Sequence, residues 1–168
     1  MSTRVKRILV VDDEEDIVEL VAWNLRHKGY EVIVAYDGET AISVAEQEVP
    51  DLILLDYMLP GLDGLMVLRR LSQGDTTRHA PIVMVTACRE SSLMLEAVRQ
   101  GATDVMHKPF SVPELLQWVE RWLSGTGLVA LPPFVNRALH SMGQTDCTTQ
   151  TDTNPPGSGP RFYRIRVQ

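Results

Sequence analysis

Asp51-Leu52-Ile53-Leu54-Leu55-Asp56 sets four unbroken apolar residues between two acids. A strand with one wet face would alternate apolar and polar side chains. A continuous run expects water on neither face, the mark of a strand in a parallel sheet with helices on both sides. Four similar runs, at residues 8–11, 32–35, 82–85 and 103–106, are rich in β-branched side chains, and only Asp104 interrupts the last.

The segments between these runs carry helical spacing. Ile17, Leu20, Val21 and Leu25 make one stripe, closed by Gly29, and Ala41, Val44 and Ala45 make another with Asp37 as its cap. Val67, Leu68 and Leu71 mark a third, and Met94, Ala97 and Val98 a fourth that stops at Gly101. The fifth has capping-box spacing between Ser111 and Glu114, Pro113 in its first turn, and Leu115, Leu116, Val119 and Leu123 along one face. Five strand–helix units in succession predict a doubly wound α/β domain with a parallel sheet and five helices, over residues 1–124. Residues 125–168 are rich in Thr, Pro and Gly, without sustained periodicity, and read as a disordered or loosely docked tail. Within that tail only residues 134–142 suit a short helix, and residues 161–168 form a basic, strand-like fragment.

Of the 168 residues, 44% are hydrophobic and 23% charged, a globular balance, and the net charge of −6 speaks against a DNA-binding surface spread over the chain. Two distant cysteines, Cys88 and Cys147, make no disulfide framework. The apolar run at 8–11 is too short for a signal-peptide core, and no stretch approaches a membrane span, so a cytoplasmic protein without membrane partners is expected.

The polar residues at the strand ends carry the chemistry. Asp12 and Asp13 follow the first strand, Asp56 closes the third, Thr86 the fourth, and Lys108 follows the fifth. All lie at carboxyl ends of parallel strands, the edge where open α/β sheets bind ligands. In the flavodoxin-like order 2-1-3-4-5, strands one and three are neighbours, which brings the three aspartates together. Two carboxylates about 5 Å apart at an effective dielectric near 20 repel by roughly 3 kcal/mol, so such a cluster calls for a cation. A hard divalent ion with oxygen ligands, Mg2+, is the economical choice. Asp56 then serves as a nucleophile toward a phosphoryl group, with Lys108 and the Thr86 hydroxyl meeting its oxygens. Glu14, Glu15 and Asp16 read as acids suited to a helix N-terminus, His107 as an exposed loop residue, and Cys88 as ordinary packing.

The segments ILVVDDE at 8–14, DLILLD at 51–56, MLPGLDG at 58–64, VTA at 85–87 and HKPF at 107–110 resemble the receiver domains of two-component response regulators. The likeness runs from about residue 7 to 123 and is nearest to receivers of winged-helix transcriptional regulators. It implies that Asp56 takes phosphate from a histidine kinase or phosphotransfer protein. It further implies that Asp12 or Asp13, Asp56 and the Met58 backbone carbonyl hold magnesium, and that the Lys108–Pro109 bond is cis. The chain would be a phosphorylation-controlled interaction switch with self-catalysed phosphorylation and dephosphorylation, not a conventional enzyme. Its downstream partner would dock on the face of the fourth helix, fifth strand and fifth helix.

Two departures stand out. Val105 replaces the usual aromatic three residues before the lysine. Thr103 and Trp118 stand where the winged-helix subfamily has Asp and Arg, while Asp104 keeps the neighbouring acid. The output face is therefore expected to differ, with a partner docking on Trp118 and Val105, or with Trp118 simply filling the core. Rival readings are a phosphorylation-independent adaptor and an aspartate-nucleophile phosphohydrolase. The latter would need a second Asp two residues after a nucleophile on the first strand, where Glu14 stands. Acids rather than glycines after that strand disfavour a nucleotide- or flavin-binding module.

Overall fold

The computed structural model describes residues 4–124. Strands β1 (Arg7–Val11), β2 (Glu31–Ala35), β3 (Leu52–Asp56), β4 (Ile82–Thr86) and β5 (Asp104–His107) form one parallel sheet in the order β2-β1-β3-β4-β5. Helices α1 (Glu15–His27) and α5 (Val112–Leu123) cover one face, and α2 (Gly38–Glu48), α3 (Gly64–Gln73) and α4 (Ser91–Arg99) the other. This is the expected doubly wound five-stranded architecture with five helices.

The unbroken apolar runs follow from that layering. In β1, Ile8 and Val10 belong to the core with Val21, Leu25, Leu115 and Val119 of α1 and α5. Leu9 and Val11 belong to the core on the other face, with Ala41, Val67, Leu68 and Ala97. Successive strand residues point to opposite faces, so a helix-covered sheet needs an apolar residue at every position. β3 lies at the centre of the sheet, and all five of its residues are buried, Asp56 included.

The helix starts follow the local chemistry. Asp37 accepts from the Thr40 backbone N–H at 2.8 Å, and Ser111 with Glu114 forms both bonds of a capping box ahead of α5. The fifth strand is displaced by one residue from its expected span. Thr103 donates its N–H to the Ile82 carbonyl, and its Oγ1 accepts from the Ile82 N–H at 3.0 Å. A side chain thus takes one of the bonds that a strand residue would give, and pairing runs instead from Asp104 to His107, opposite Val83 to Thr86. His107 is therefore a half-buried strand residue, not an exposed loop residue, and its Nδ1 is buried with no hydrogen-bond partner among the described residues. The readings of residues 125–168, including the helix at 134–142, Cys147 and the basic fragment at 161–168, lie outside the described residues.

Candidate functional site

Register places the acids. β1 and β3 pair up to Val11↔Leu55, so Asp12, one step past β1, comes beside Asp56 at the end of β3. On its other side β3 pairs Asp56 with Val85, which puts Thr86 one residue beyond on β4. The Lys108 N–H donates to the Thr86 carbonyl at 2.8 Å, carrying the lysine to the same edge, and the Lys108–Pro109 peptide is cis. Four strand ends thus converge on one point.

The side chains meet there. Carboxylate oxygens of Asp12, Asp13 and Asp56 all lie within 4.8 Å of one another, with Asp12 and Asp56 buried and Asp13 exposed. Lys108 Nζ donates to Asp12 Oδ2 at 2.6 Å and stands 3.4 Å from Asp56 Oδ1. Asp12 Oδ1 accepts from the Glu14 N–H at 3.1 Å. Above these groups opens a cleft of about 710 Å3, lined by Asp13, Asp56, Met58, Gly61, Ala87 and Lys108 among others. Thr86 is buried just behind that wall. Its Oγ1 accepts from the Cys88 N–H at 3.0 Å, which leaves its own proton to be directed elsewhere, and α4 begins too far on for Thr86 to cap it.

Burial is the main force on Asp56 and raises its carboxyl to about 6; the nearby Asp12 charge adds to the rise, and Lys108 opposes it. Burial works against the Lys108 ammonium, but the bond to Asp12 and the charge of Asp56 outweigh it and raise its pKa. An ionised Asp56 at neutral pH is thus held at a cost that a further cation would relieve.

Two participants were not legible as such. Glu14, read as a helix-end acid, is the residue before α1, makes no side-chain capping bond, and places Oε1 3.4 Å from Lys108 Nζ. Its partner is 94 residues away, so no local pattern could show it. Gly64 is the other. A Cβ there would lie 2.6 Å from the Asp56 carbonyl oxygen and 2.7 Å from that of Tyr57, so only glycine lets α3 start this close behind the end of β3. Gly64→Ala should cost about 1–3 kcal/mol of stability, as overpacking does, and urea unfolding would measure it. A loss below a few tenths would mean that the loop at 57–63 yields freely.

The profile of the response regulator receiver domain matches residues 8–120, with the clustered acids and the lysine inside the match. The chain belongs to the response regulator receiver family. Among curated relatives it is 51% identical, over 110 residues, to the alkaline phosphatase synthesis transcriptional regulatory protein PhoP of Bacillus subtilis; the match takes 66% of this chain and 45% of PhoP. It is 32% identical over 160 residues to the phosphate regulon transcriptional regulatory protein PhoB of Escherichia coli, 95% of this chain and 70% of PhoB. Among solved structures, the chemotaxis response regulator CheY4 of Vibrio cholerae superposes with a TM-score of 0.68 at 30% identity, covering 71% of this chain and 99% of CheY4. The chain spans less than half the length of PhoP and 23% of the Caulobacter response regulator PleD. Relatives named as transcriptional regulators sit against the expectation that disfavours direct DNA binding. That expectation rested on this chain's net charge, which says nothing of the parts of those longer proteins that lie beyond the match.

Val105 and Asp104 of this receiver domain are more buried than the sequence suggested. Val105 is buried on the face of α2, α3 and α4, whereas Trp118 packs with the core on the face of α1 and α5. Val105 is only 4% exposed and so offers a partner little surface in this conformation, and Trp118 is in part a core residue. Asp104, expected as a face acid, has no exposed surface. Its Oδ1 accepts from the Val105 N–H at 2.9 Å and its Oδ2 is buried with no hydrogen-bond partner among the described residues. Burial pushes this carboxyl up to about 7, with the Val105 N–H and the Arg121 charge pulling the other way.

Proposed function

We propose that Asp56 of this receiver domain accepts a phosphoryl group from the phosphohistidine of a sensor kinase or phosphotransfer protein, in a magnesium-dependent reaction, and that the resulting charge switches a protein-interaction surface. One observation carries the reading. A buried carboxylate at a strand end stands within 3.4 Å of a lysine and within reach of two further acids, at the mouth of an open cleft.

The donor set fits magnesium. Three carboxylates converge, the ligands are hard oxygens, and the site carries uncompensated negative charge. Asp12, Asp13 and Asp56, with the Met58 backbone carbonyl, would hold the ion. When bound, it supplies positive charge that offsets the charge building on the transferred phosphoryl oxygens. In the transfer, an Asp56 carboxylate oxygen forms the new O–P bond as the N–P bond of the phosphohistidine breaks, and the departing imidazole takes up a proton. Lys108 holds the phosphoryl oxygens by charge, and the Thr86 hydroxyl donates to one of them. Water reaching the same phosphorus from the open cleft reverses the modification, so the domain serves its own phosphorylation and dephosphorylation without turning over a separate substrate.

Phosphorylation adds about −1.5 to −2 charges at this edge, and Thr86 and Lys108 are the groups positioned to respond. The output partner would dock on the surface of α4, β5 and α5. A cytoplasmic setting suits such a role, and among the described residues no helix is long and apolar enough to cross a membrane.

Incubation with acetyl phosphate and magnesium should add a single phosphoryl group to the intact chain, read by mass spectrometry, and a chelator should suppress it. No added mass under any condition would favour the phosphorylation-independent adaptor.

A further inference from the structure

At the opposite edge of the sheet from the acidic cleft, the C-terminal turns of α3 and α4 and the loop leading into β4 enclose a groove of about 840 Å3. Three arginines line it from three separate elements: Arg69 on α3, Arg78 in the loop and Arg99 on α4. Glu96 is the one acid in the lining. In a chain of net charge −6 this is a local excess of positive charge.

The ordinary explanation for cations here is that they serve the negative ends of the two helices. The hydrogen bonding speaks against it. Several of the carbonyls at these helix ends are taken up by other donors: Arg70 by the Gly74 N–H, Leu71 by the Thr77 hydroxyl, Ala97 by the Ala102 N–H, Val98 by the Gly101 N–H, and Gln100 by the Ser72 hydroxyl at 2.8 Å. The guanidinium groups are left loosely engaged. Arg78 donates from Nε to His79 Nε2 over a long 3.4 Å and lies 3.9 Å from the exposed Asp75, and Arg99 lies 4.0 Å from Glu96, which already accepts from Gln100 Nε2 at 2.7 Å. Arg69 makes no side-chain hydrogen bond or ion pair among the described residues.

The floor of the groove is fixed as well. The Ser72–Gln100 bond ties α3 to the end of α4, and Gly101, at φ +108°, passes so close that a Cβ would lie 2.6 Å from Ser72 Cβ. The walls are therefore held apart at a set distance before any ligand arrives, which lowers the cost of binding.

A guanidinium is a planar fork of donors that matches phosphoryl oxygens two at a time. Three forks on separate walls suit more than one phosphoryl group, and the volume falls within the roughly 300–1,000 Å3 common for small-molecule sites. We propose that this groove binds a small molecule carrying two or more linked phosphoryl groups, either pyrophosphate itself or the oligophosphate of a nucleotide. The groove stands apart from Asp56, so this site does not depend on the phosphoacceptor reading.

Calorimetric titration of the full chain with pyrophosphate, and separately with adenosine triphosphate, tests it. A chelator keeps metal-bridged binding out of the acidic cleft, and salt near about 0.15 M screens diffuse attraction. One saturable site is expected, and equal affinity for the two probes would identify the phosphate chain alone as the determinant, whereas tighter binding of the nucleotide would add a nucleoside contact. Joint Arg69→Ala and Arg99→Ala substitution should weaken both probes by about tenfold or more, since two charge-assisted forks are lost. Arg69→Lys, which keeps the charge and loses the fork, should fall between. Arg26→Ala, which removes an exposed arginine of α1, should stay within about twofold of the parent if the effect is local rather than one of net charge. Both groove arginines are exposed, so an unchanged melting temperature should accompany the loss. Absence of saturation, equal weakening by Arg26→Ala, or displacement of pyrophosphate by a hexaglutamate peptide would overturn the proposal.

Discussion

Asp56→Asn should abolish phosphoryl uptake and, at neutral pH without magnesium, make the fold more stable. The first effect is chemical: the amide has no anionic oxygen with which to attack phosphorus. The second follows from the electrostatics of the site. Burial and Asp12 together hold the Asp56 carboxyl at about 6, above its value in an unfolded chain near 4. The native state therefore keeps a proton that the unfolded chain has released between about pH 4 and 6, and stability falls as pH rises through that window. Above it the penalty is fully present, on the order of 1–2 kcal/mol once solvent screening at the open cleft is allowed for. Below about pH 4 it vanishes, because both states are protonated.

The asparagine variant lacks this step. Urea unfolding as a function of pH should show the parent losing stability from about pH 4 to 6, relative to the variant. Magnesium should recover much of the loss in the parent and less in the variant, because binding to the native state alone stabilises it. Phosphoryl uptake by the parent should decline as pH falls and Asp56 takes up its proton, at a pH that bound magnesium shifts below the metal-free value of about 6. If the variant were less stable than the parent at pH 7, the acid cluster would not be strained, and the case for a cation there would lose its electrostatic basis.

The sequence disclosed the fold more fully than the site. Continuous apolar runs state that both faces of a strand are covered, and four of the five strands carried that signal, Asp104 breaking the fifth. β5 slipped by one residue because the Thr103 hydroxyl took a bond that the strand ladder would have used, and a threonine in a β-branched run looks the same either way. The acids and the lysine were legible because each terminates a strand. Their pairing was not. Nothing in the order of residues says that Lys108 sits closer to Asp12 than to Asp56, or that Glu14 turns toward the lysine instead of capping α1. The grouping of Val105 with Trp118 has a different origin. They were grouped by their departure from family habit, whereas strand parity puts Val105 on one face of the sheet and Trp118 reaches the other from α5. Asp104 shows the same parity, since it points toward the α5 side and is sealed there.

Lys108→Met should separate two properties that normally travel together: magnesium affinity should rise while phosphoryl transfer collapses. Lys108 Nζ donates to Asp12 Oδ2 at 2.6 Å and lies 3.4 Å from both Asp56 and Glu14, so in the metal-free protein it is the cation that partly neutralises the cluster. A divalent ion entering among the same acids is repelled by it. For an ammonium about 5 Å from the ion, that repulsion is roughly 1.7 kcal/mol even at the dielectric of bulk water, so losing the lysine should tighten magnesium binding by at least about tenfold. The same substitution removes the positive charge meant for the phosphoryl oxygens. Loss of one such preorganised contact lowers rates by about 100- to 1,000-fold, and transfer from acetyl phosphate at saturating magnesium should fall by that order. Without magnesium the variant should also be less stable at neutral pH, by about 3–5 kcal/mol at most, because Asp12 and Asp56 are left buried with no counter-charge. That deficit should shrink as pH falls and Asp56 takes up its proton. Magnesium titration followed by calorimetry, together with labelling rates at saturating metal, reads both halves. Weaker metal binding in the variant would show that Lys108 holds the acids in place for the ion instead of competing with it. Unchanged labelling would remove the lysine from the transfer altogether.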